Sequence, residues 1–162
     1  MNSSEQLPGS NDGADTNTKV EALVAVVCGQ WLAVELRYIE TVIKLGLVSP
    51  LPLLPSYMPG AMAHGQEPLV LIDPARFLEL KDCVRAAEVQ QRRVVVVESK
   101  ELRAGLVIDG AAEIGVLSIR QGDMTDLRGS DAVSQYLLGE CVQADRVIAV
   151  LDLPRLLEGA RV

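Results

Sequence analysis

Residues 71–78 read LIDPARFL, and 79 positions further on residues 150–157 read VLDLPRLL. Each stretch is a short branched apolar run, an aspartate, a proline one or two positions later, then an arginine and leucine. An aspartate just ahead of a proline offers an N-cap oxygen and a pre-set first helical turn, so each stretch reads as a strand running into a short capped helix. The correspondence extends outward. Tyr57-x-x-Gly60 recurs as Tyr136-x-x-Gly139, and Asp73, Arg76 and Leu78 recur as Asp152, Arg155 and Leu157, always 79 apart. Upstream, Val34, Leu36 and Val42 match Leu106, Ile108 and Ile114 at an offset of 72. An ordered series at two fixed offsets marks an internal duplication, and a repeat decides architecture before other signals do.

Between these landmarks short apolar runs alternate with turn signals. Glu21 to Cys28, then Gly29-Gln30, then Trp31 to Leu36 with a period of two, predicts a hairpin with a buried face. Further strands are expected at 42–48, 69–72, 94–98, 102–108, 114–117 and 147–151, most of them rich in Val, Ile and Leu. Residues 131–138 read as a third short helix, with Gly139 as its left-handed stop. Residues 45–66 are uncharged but carry Pro50, Pro52, Pro55 and Pro59. Prolines at that density forbid a spanning helix and leave an extended connection.

The expected fold is mainly β with short helices. Halves of roughly 30–82 and 94–158 are each too small for a sandwich, and a small closed barrel is the usual way to bury four or five short strands. Two five-stranded barrels side by side is the expectation, with a single mixed sheet as the alternative. Residues 1–19 are mostly Ser, Asn, Asp, Gly and Thr with one Leu; they read as a disordered tail, with the domain spanning 20–162.

Composition excludes several functions. With 22 acidic against 15 basic residues the net charge is -7, which repels nucleic-acid backbones and anionic lipid. No secretory signal opens the chain. Cys28, Cys83 and Cys141 lie too far apart for a zinc knuckle or a disulfide framework and read as reduced thiols of a cytoplasmic protein. The lone histidine, His64, lacks the partners that a metal or nucleophile site requires. Asp73 and Asp152 are explained by capping, and no phosphate-binding glycine loop is visible. No cofactor, metal or catalytic residue is expected. An enzyme acting on a small molecule through His64 is the distant alternative.

Ser49-Pro-Leu-Pro-x-x-Pro55, Tyr57, Gly60, Leu69 to Asp73, Ala75-Arg76, Leu78, Ile108-Asp109, Tyr136-x-x-Gly139 and Asp145 to Asp152, taken in order, resemble the CheW-like domain. The likeness covers about residues 20–157. It implies two small barrels around a groove and a non-catalytic adaptor. Such an adaptor joins the tip of a chemoreceptor to the regulatory domain of a CheA-type histidine kinase in a chemotaxis, pilus or surface-sensing array. The groove takes the receptor's helical hairpin. By position it would be lined by Leu36, Ile39, Val42, Ile108 and Ala111, with Gly60 keeping the backbone close. Where the family reads Asn-Leu-Arg-Gly, this chain has Ala63-His64-Gly65-Gln66, so Gly65 stands in place of the receptor-side arginine and His64 precedes it. A ring component that binds the kinase but not ordinary receptors is the alternative this departure implies.

Overall fold

Both capped turns form. In the computed structural model, which describes residues 18–81, 91–110, 112–120 and 131–162, the Asp73 carboxylate accepts the Ala75 N–H at 3.1 Å and starts α1 (Pro74–Phe77). Asp152 accepts the Arg155 N–H at 3.3 Å and starts α2 (Leu153–Ala160). Each turn is also held from behind, because Asp73 N–H donates to the Tyr57 carbonyl at 2.7 Å and Asp152 N–H to that of Tyr136 at 2.8 Å. Most of the proposed tail lies outside the described residues, although Thr18 and Lys19 already belong to the first strand.

The described residues form ten strands in chain order: β1 (Thr18–Val27), β2 (Gln30–Glu35), β3 (Ile39–Lys44), β4 (Gly60–His64), β5 (Glu67–Ile72), β6 (Arg93–Ser99), β7 (Leu102–Ile108), β8 (Ala112–Ile119), β9 (Leu137–Gln143) and β10 (Arg146–Leu151). They form two curled five-stranded sheets, β8-β1-β2-β10-β9 and β3-β6-β7-β5-β4. Shifting each strand of the first repeat forward by five and each strand of the second back by five converts one order into the other, which is the duplication seen in three dimensions. The sheets nevertheless do not coincide with the blocks 30–82 and 94–158. Strands β1 and β2 of the first repeat pair with β8, β9 and β10 of the second, and the second sheet mirrors this exchange. The reason lies in the links: the chain leaves β2 through a 3₁₀ turn at Leu36–Tyr38, which carries β3 across to the other sheet instead of back beside β2. The parallel pairs β2–β10 and β5–β7 then join strands from opposite repeats, whose separation in sequence supplies the long connection that parallel pairing requires.

Residues 131–136 are a 3₁₀ helix that gives way to β9, so Gly139 lies inside a strand and terminates no helix. Residues 60–64, read as part of an extended connection, form β4. Each sheet curls until its edges meet at one bridge. Ser49 and Ala61 exchange backbone hydrogen bonds of 2.8 and 3.0 Å in the second sheet; Arg120 and Glu140 exchange bonds of 2.7 and 2.9 Å in the first.

Alternation along the central strands divides the core into three layers. Ala22 and Val24 of β1 join Ala33, Leu117, Ile119, Cys141, Ile148 and Val150 inside the first sheet. Val94 and Val96 of β6 join Met62, Leu69, Leu71 and Val107 inside the second. The intervening residues, among them Leu23, Ala25, Val95, Val97, Leu106 and Ile108, pack between the sheets together with α1 and α2. The run Val94 to Val97 is buried throughout because both faces of β6 are covered. Cys28 is disulfide-bonded, which corrects its reading as a reduced thiol; Cys141 is free and buried. Among the described residues no helix is long and apolar enough to cross a membrane.

Candidate functional site

Two crossovers build the groove between the sheets. The 3₁₀ turn at Leu36–Tyr38 packs against β1 and β6 as the chain passes from β2 to β3. The link from β7 to β8 passes through Asp109, which is buried. Its Oδ2 accepts the Cys28 N–H at 2.7 Å, its own N–H donates to the Val26 carbonyl at 2.9 Å, and Arg92 Nε lies 3.9 Å from Oδ1. A buried carboxylate is tolerated when hydrogen bonds and a cation replace its water, so Asp109 ties this crossover to the end of β1.

The groove residues named from the resemblance differ in exposure. Leu36 and Ile39 are half-buried against the inter-sheet core, and Val42 on β3 is exposed. Ile108, expected to be partly exposed across the cleft, is 4% exposed. It follows Ala104 and Leu106 along the core-facing side of β7, and the two-residue period leaves it no path to solvent. Ala111 lies outside the described residues. Gly60 serves the closure of the second sheet: a Cβ there would come 2.3 Å from the Ser49 carbonyl oxygen.

Ile114 and Val116 of β8, which the sequence reading did not assign to the groove, complete its wall beside Val42. Ile114 pairs with Leu23 and Val42 with Val95. Directly opposed residues on neighbouring strands point to the same face. Since Leu23 and Val95 belong to the inter-sheet core, Ile114 and Val42 extend that apolar face outward on β8 and β3. Val116 lies on the same side of β8 as Ile114, and both are more than half exposed. The available signal was the 72-residue offset between Val42 and Ile114.

His64 and Gly65 lie away from this wall, at the end of the second sheet where β4 turns into β5. His64 Nε2 is 3.8 Å from Glu40 Oε2, and Arg103 forks onto the same carboxylate, Nε to Oε1 at 3.0 Å and Nη2 to Oε2 at 3.2 Å. That fork, foremost the hydrogen bond, holds the Glu40 carboxyl below its ordinary range, and Glu40 in return raises Arg103. Gly65 has a φ of +65°, and nothing stands within 4 Å of where its Cβ would be. The corresponding end of the first sheet is built from different residues. Arg146 lies 4.3 Å over the Trp31 ring and contacts Glu113 at 3.2 Å. A cavity of about 350 Å³ opens beside the second sheet, lined by Leu45, Val48, Leu71 and Val107 with Arg76 and Arg92. Each of these arginines lies near a carboxylate, Asp73 or Asp109. Among the described residues no three His, Cys, Asp or Glu side chains gather to hold a metal ion.

The model of the CheW-like domain family matches residues 21–161. The chain belongs to the CheW-like domain family. Protein FrzA of Myxococcus xanthus is 33% identical to it over 138 residues, 80% of either chain. The crystal structure of the scaffolding protein TtCheW from Thermoanaerobacter tengcongensis matches its fold with a TM-score of 0.69, covering 86% of this chain and 88% of that one at 17% identity. The interleaved sheets and their groove are thus the CheW-like fold, and the protein is a CheW-like scaffold of chemosensory signalling.

Proposed function

We propose that this CheW-like protein is a cytoplasmic, non-catalytic coupling protein that joins the tip of a chemoreceptor to the regulatory domain of a CheA-type histidine kinase. The observation that carries the reading is the pair of exposed apolar edges, Val42 on β3 and Ile114 with Val116 on β8, continuing the inter-sheet core out to solvent. An apolar strip between two walls suits the apolar face of a helix, and burying it excludes water from both surfaces. Family membership supports the reading, and the net charge of -7 speaks against a nucleic-acid partner.

A second reading follows from Gly65. A chain without the motif arginine fills kinase rings and leaves ordinary receptors unbound. Paired titration separates the two: the full-length protein is titrated with a receptor-tip fragment and with the kinase regulatory domain. Binding to both supports coupling, binding to the kinase domain alone supports the ring component, and binding to neither overturns both.

A further inference from the structure

Arg92 stands where the pattern of its strand asks for an apolar side chain. Val94 and Val96 of β6 face the interior of the second sheet, and two residues earlier the same alternation brings Arg92 to the inward side at the sheet's mouth. Its main chain is fixed there, because the Arg92 carbonyl accepts the Leu45 N–H at 3.2 Å. The side chain is 23% exposed and lines the cavity of about 350 Å³ whose floor is Leu45, Val48, Leu71 and Val107. Among the described residues its buried Nε finds no hydrogen-bond acceptor; Asp109 Oδ1, at 3.9 Å, balances the charge from too far away to take the hydrogen. Arg76 lines the same cavity from α1, and Asp73 Oδ2 lies 3.7 Å from its Nε, again beyond a hydrogen bond. Two guanidinium groups thus border an apolar mouth with donors to spare.

The duplication supplies an internal comparison. At an offset of 72 the positions of Arg92 and Leu45 are taken in the first sheet by Val20 and Leu117, and both pack with that sheet's interior. At an offset of 79 Arg76 and Ser56 correspond to Arg155 and Gln135, and there Arg155 Nη1 donates to the Gln135 carbonyl at 3.5 Å. One mouth is filled with hydrocarbon and its arginine is spent on the chain itself; the other holds a guanidinium over an apolar floor. Since valine serves this place in the first sheet, packing does not account for Arg92, whose buried donor costs free energy until an acceptor meets it. The cavity lining sets two arginines against one carboxylate, Asp73, so it has charge for one anionic group. A planar fork matches a carboxylate, and the leucine and valine floor matches a hydrocarbon chain. Ligand sites of this kind occur in the mouths of β-barrels, and a cavity of about 350 Å³ holds only a small molecule.

We propose that the mouth of the second sheet is a binding site for a small monocarboxylate with a short hydrocarbon chain, its head group held by Arg92 and Arg76 and its chain laid against Leu71 and Val107. The site is separate from the groove, so its failure leaves the coupling reading untouched. The test is calorimetric titration of the full-length protein with hexanoate, beside acetate, hexanol and inorganic phosphate, repeated on Arg92→Gln and Arg76→Gln. Hexanoate is expected to saturate one site and to bind on the order of tenfold or more tighter than acetate, which lacks the chain, and than hexanol, which lacks the charge. Each glutamine variant is expected to weaken hexanoate binding about tenfold. Arg92→Gln removes the cation beside Asp109; should that variant fail to fold, Arg76→Gln, whose side chain is 66% exposed on α1, still decides the question. Absence of saturable hexanoate binding overturns the inference, as does equal affinity for acetate or hexanol or a preference for phosphate. Hexanoate binding that the folded variants retain at wild-type strength places the ligand elsewhere and overturns it as well.

Discussion

Gly60 and Gly139 occupy the same place in the two sheets. A Cβ on Gly60 would lie 2.3 Å from the Ser49 carbonyl oxygen, and one on Gly139 would lie 2.4 Å from that of Arg120. Those carbonyls belong to the two bridges that join the edges of each curled sheet. The backbones approach more closely there than any side chain permits, so the Tyr-x-x-Gly repeat marks a point of closure in each half.

Alanine at either glycine should therefore destabilise the protein by about 1–3 kcal/mol, the usual cost of forcing atoms into a filled space. Gly60→Ala should lie at the upper end, because its φ of +148° is unfavourable to any L side chain. Gly65→Ala is the comparison, having open space around it and the cost of a left-handed backbone alone, about 1 kcal/mol. Urea denaturation of the three variants tests the order; equal stabilities would show that the closures yield without strain.

Asp109 should matter more than a surface carboxylate. Replacing it with alanine leaves the buried Cys28 N–H without its acceptor, a cost of about 1–3 kcal/mol for an unsatisfied buried donor. Asp73→Ala removes an N-cap that is partly solvated and should cost about 1 kcal/mol. Denaturant midpoints of the two variants decide it, and a milder loss for Asp109→Ala would mean that water replaces the carboxylate.

The duplication, the capped turns and the central hairpins were legible because each rests on local chemistry: an aspartate before a proline, or a two-residue alternation. Strands β4 and β9 were not. Their segments, Gly60–His64 and Leu137–Gln143, contain glycine and few β-branched residues, and they are strands because each pairs with the hairpin partner that follows. Turns hid a second part. The β6–β7 and β9–β10 reversals place Lys100, Glu101, Ala144 and Asp145 at positive φ, where glycine or asparagine would have advertised the hairpin. The exchange of strands between the sheets was illegible for a different reason. It depends on where three-residue links direct the chain, and residue periodicity carries no trace of that. At the candidate site, position 65 was noticed for what it lacks, whereas the Arg103 fork on Glu40 could be seen only once β7 lay near β3.

Glu40 gives a pH signature. Its pKa is lowered from 4.5, chiefly by the Arg103 hydrogen bond, so its folded value lies below its unfolded one. A carboxylate of this kind stabilises the fold above its unfolded pKa, and that contribution is lost as pH falls through the folded value. The stability difference between wild type and Glu40→Gln should thus be present at neutral pH and close at pH values below 4.5. The pair is solvent-exposed, so the difference should be small and should shrink with added salt. Melting midpoints at neutral and acidic pH measure it, and a difference that grows on acidification contradicts the assignment.

The apolar wall of the groove makes the sharpest contrast, between Ile114 on β8 and Ile108 on β7. Ile114 is 65% exposed and Ile108 4% exposed, although the residues are only six apart. Aspartate at 108 would place an unpaired charge in the inter-sheet core beside Leu106, where its desolvation costs several kcal/mol, comparable to the whole stability of a domain. The expected result is loss of the folded state. Aspartate at 114 meets water in the free protein, so the fold should survive with a change in stability within about 0.5 kcal/mol. On docking, that charge would have to be desolvated against an apolar partner, and receptor-tip affinity should fall by tenfold or more, each factor of ten corresponding to about 1.4 kcal/mol. Val116→Asp should behave in the same way from the next outward position on the strand. Circular dichroism establishes folding, and titration with the receptor-tip fragment and the kinase regulatory domain reads the partners separately. If Ile114→Asp binds the tip as wild type does, the β8 edge lies outside the docking surface and the groove must be sought along β3; if it loses the kinase domain instead, the exposed edge of the first sheet belongs to the kinase interface.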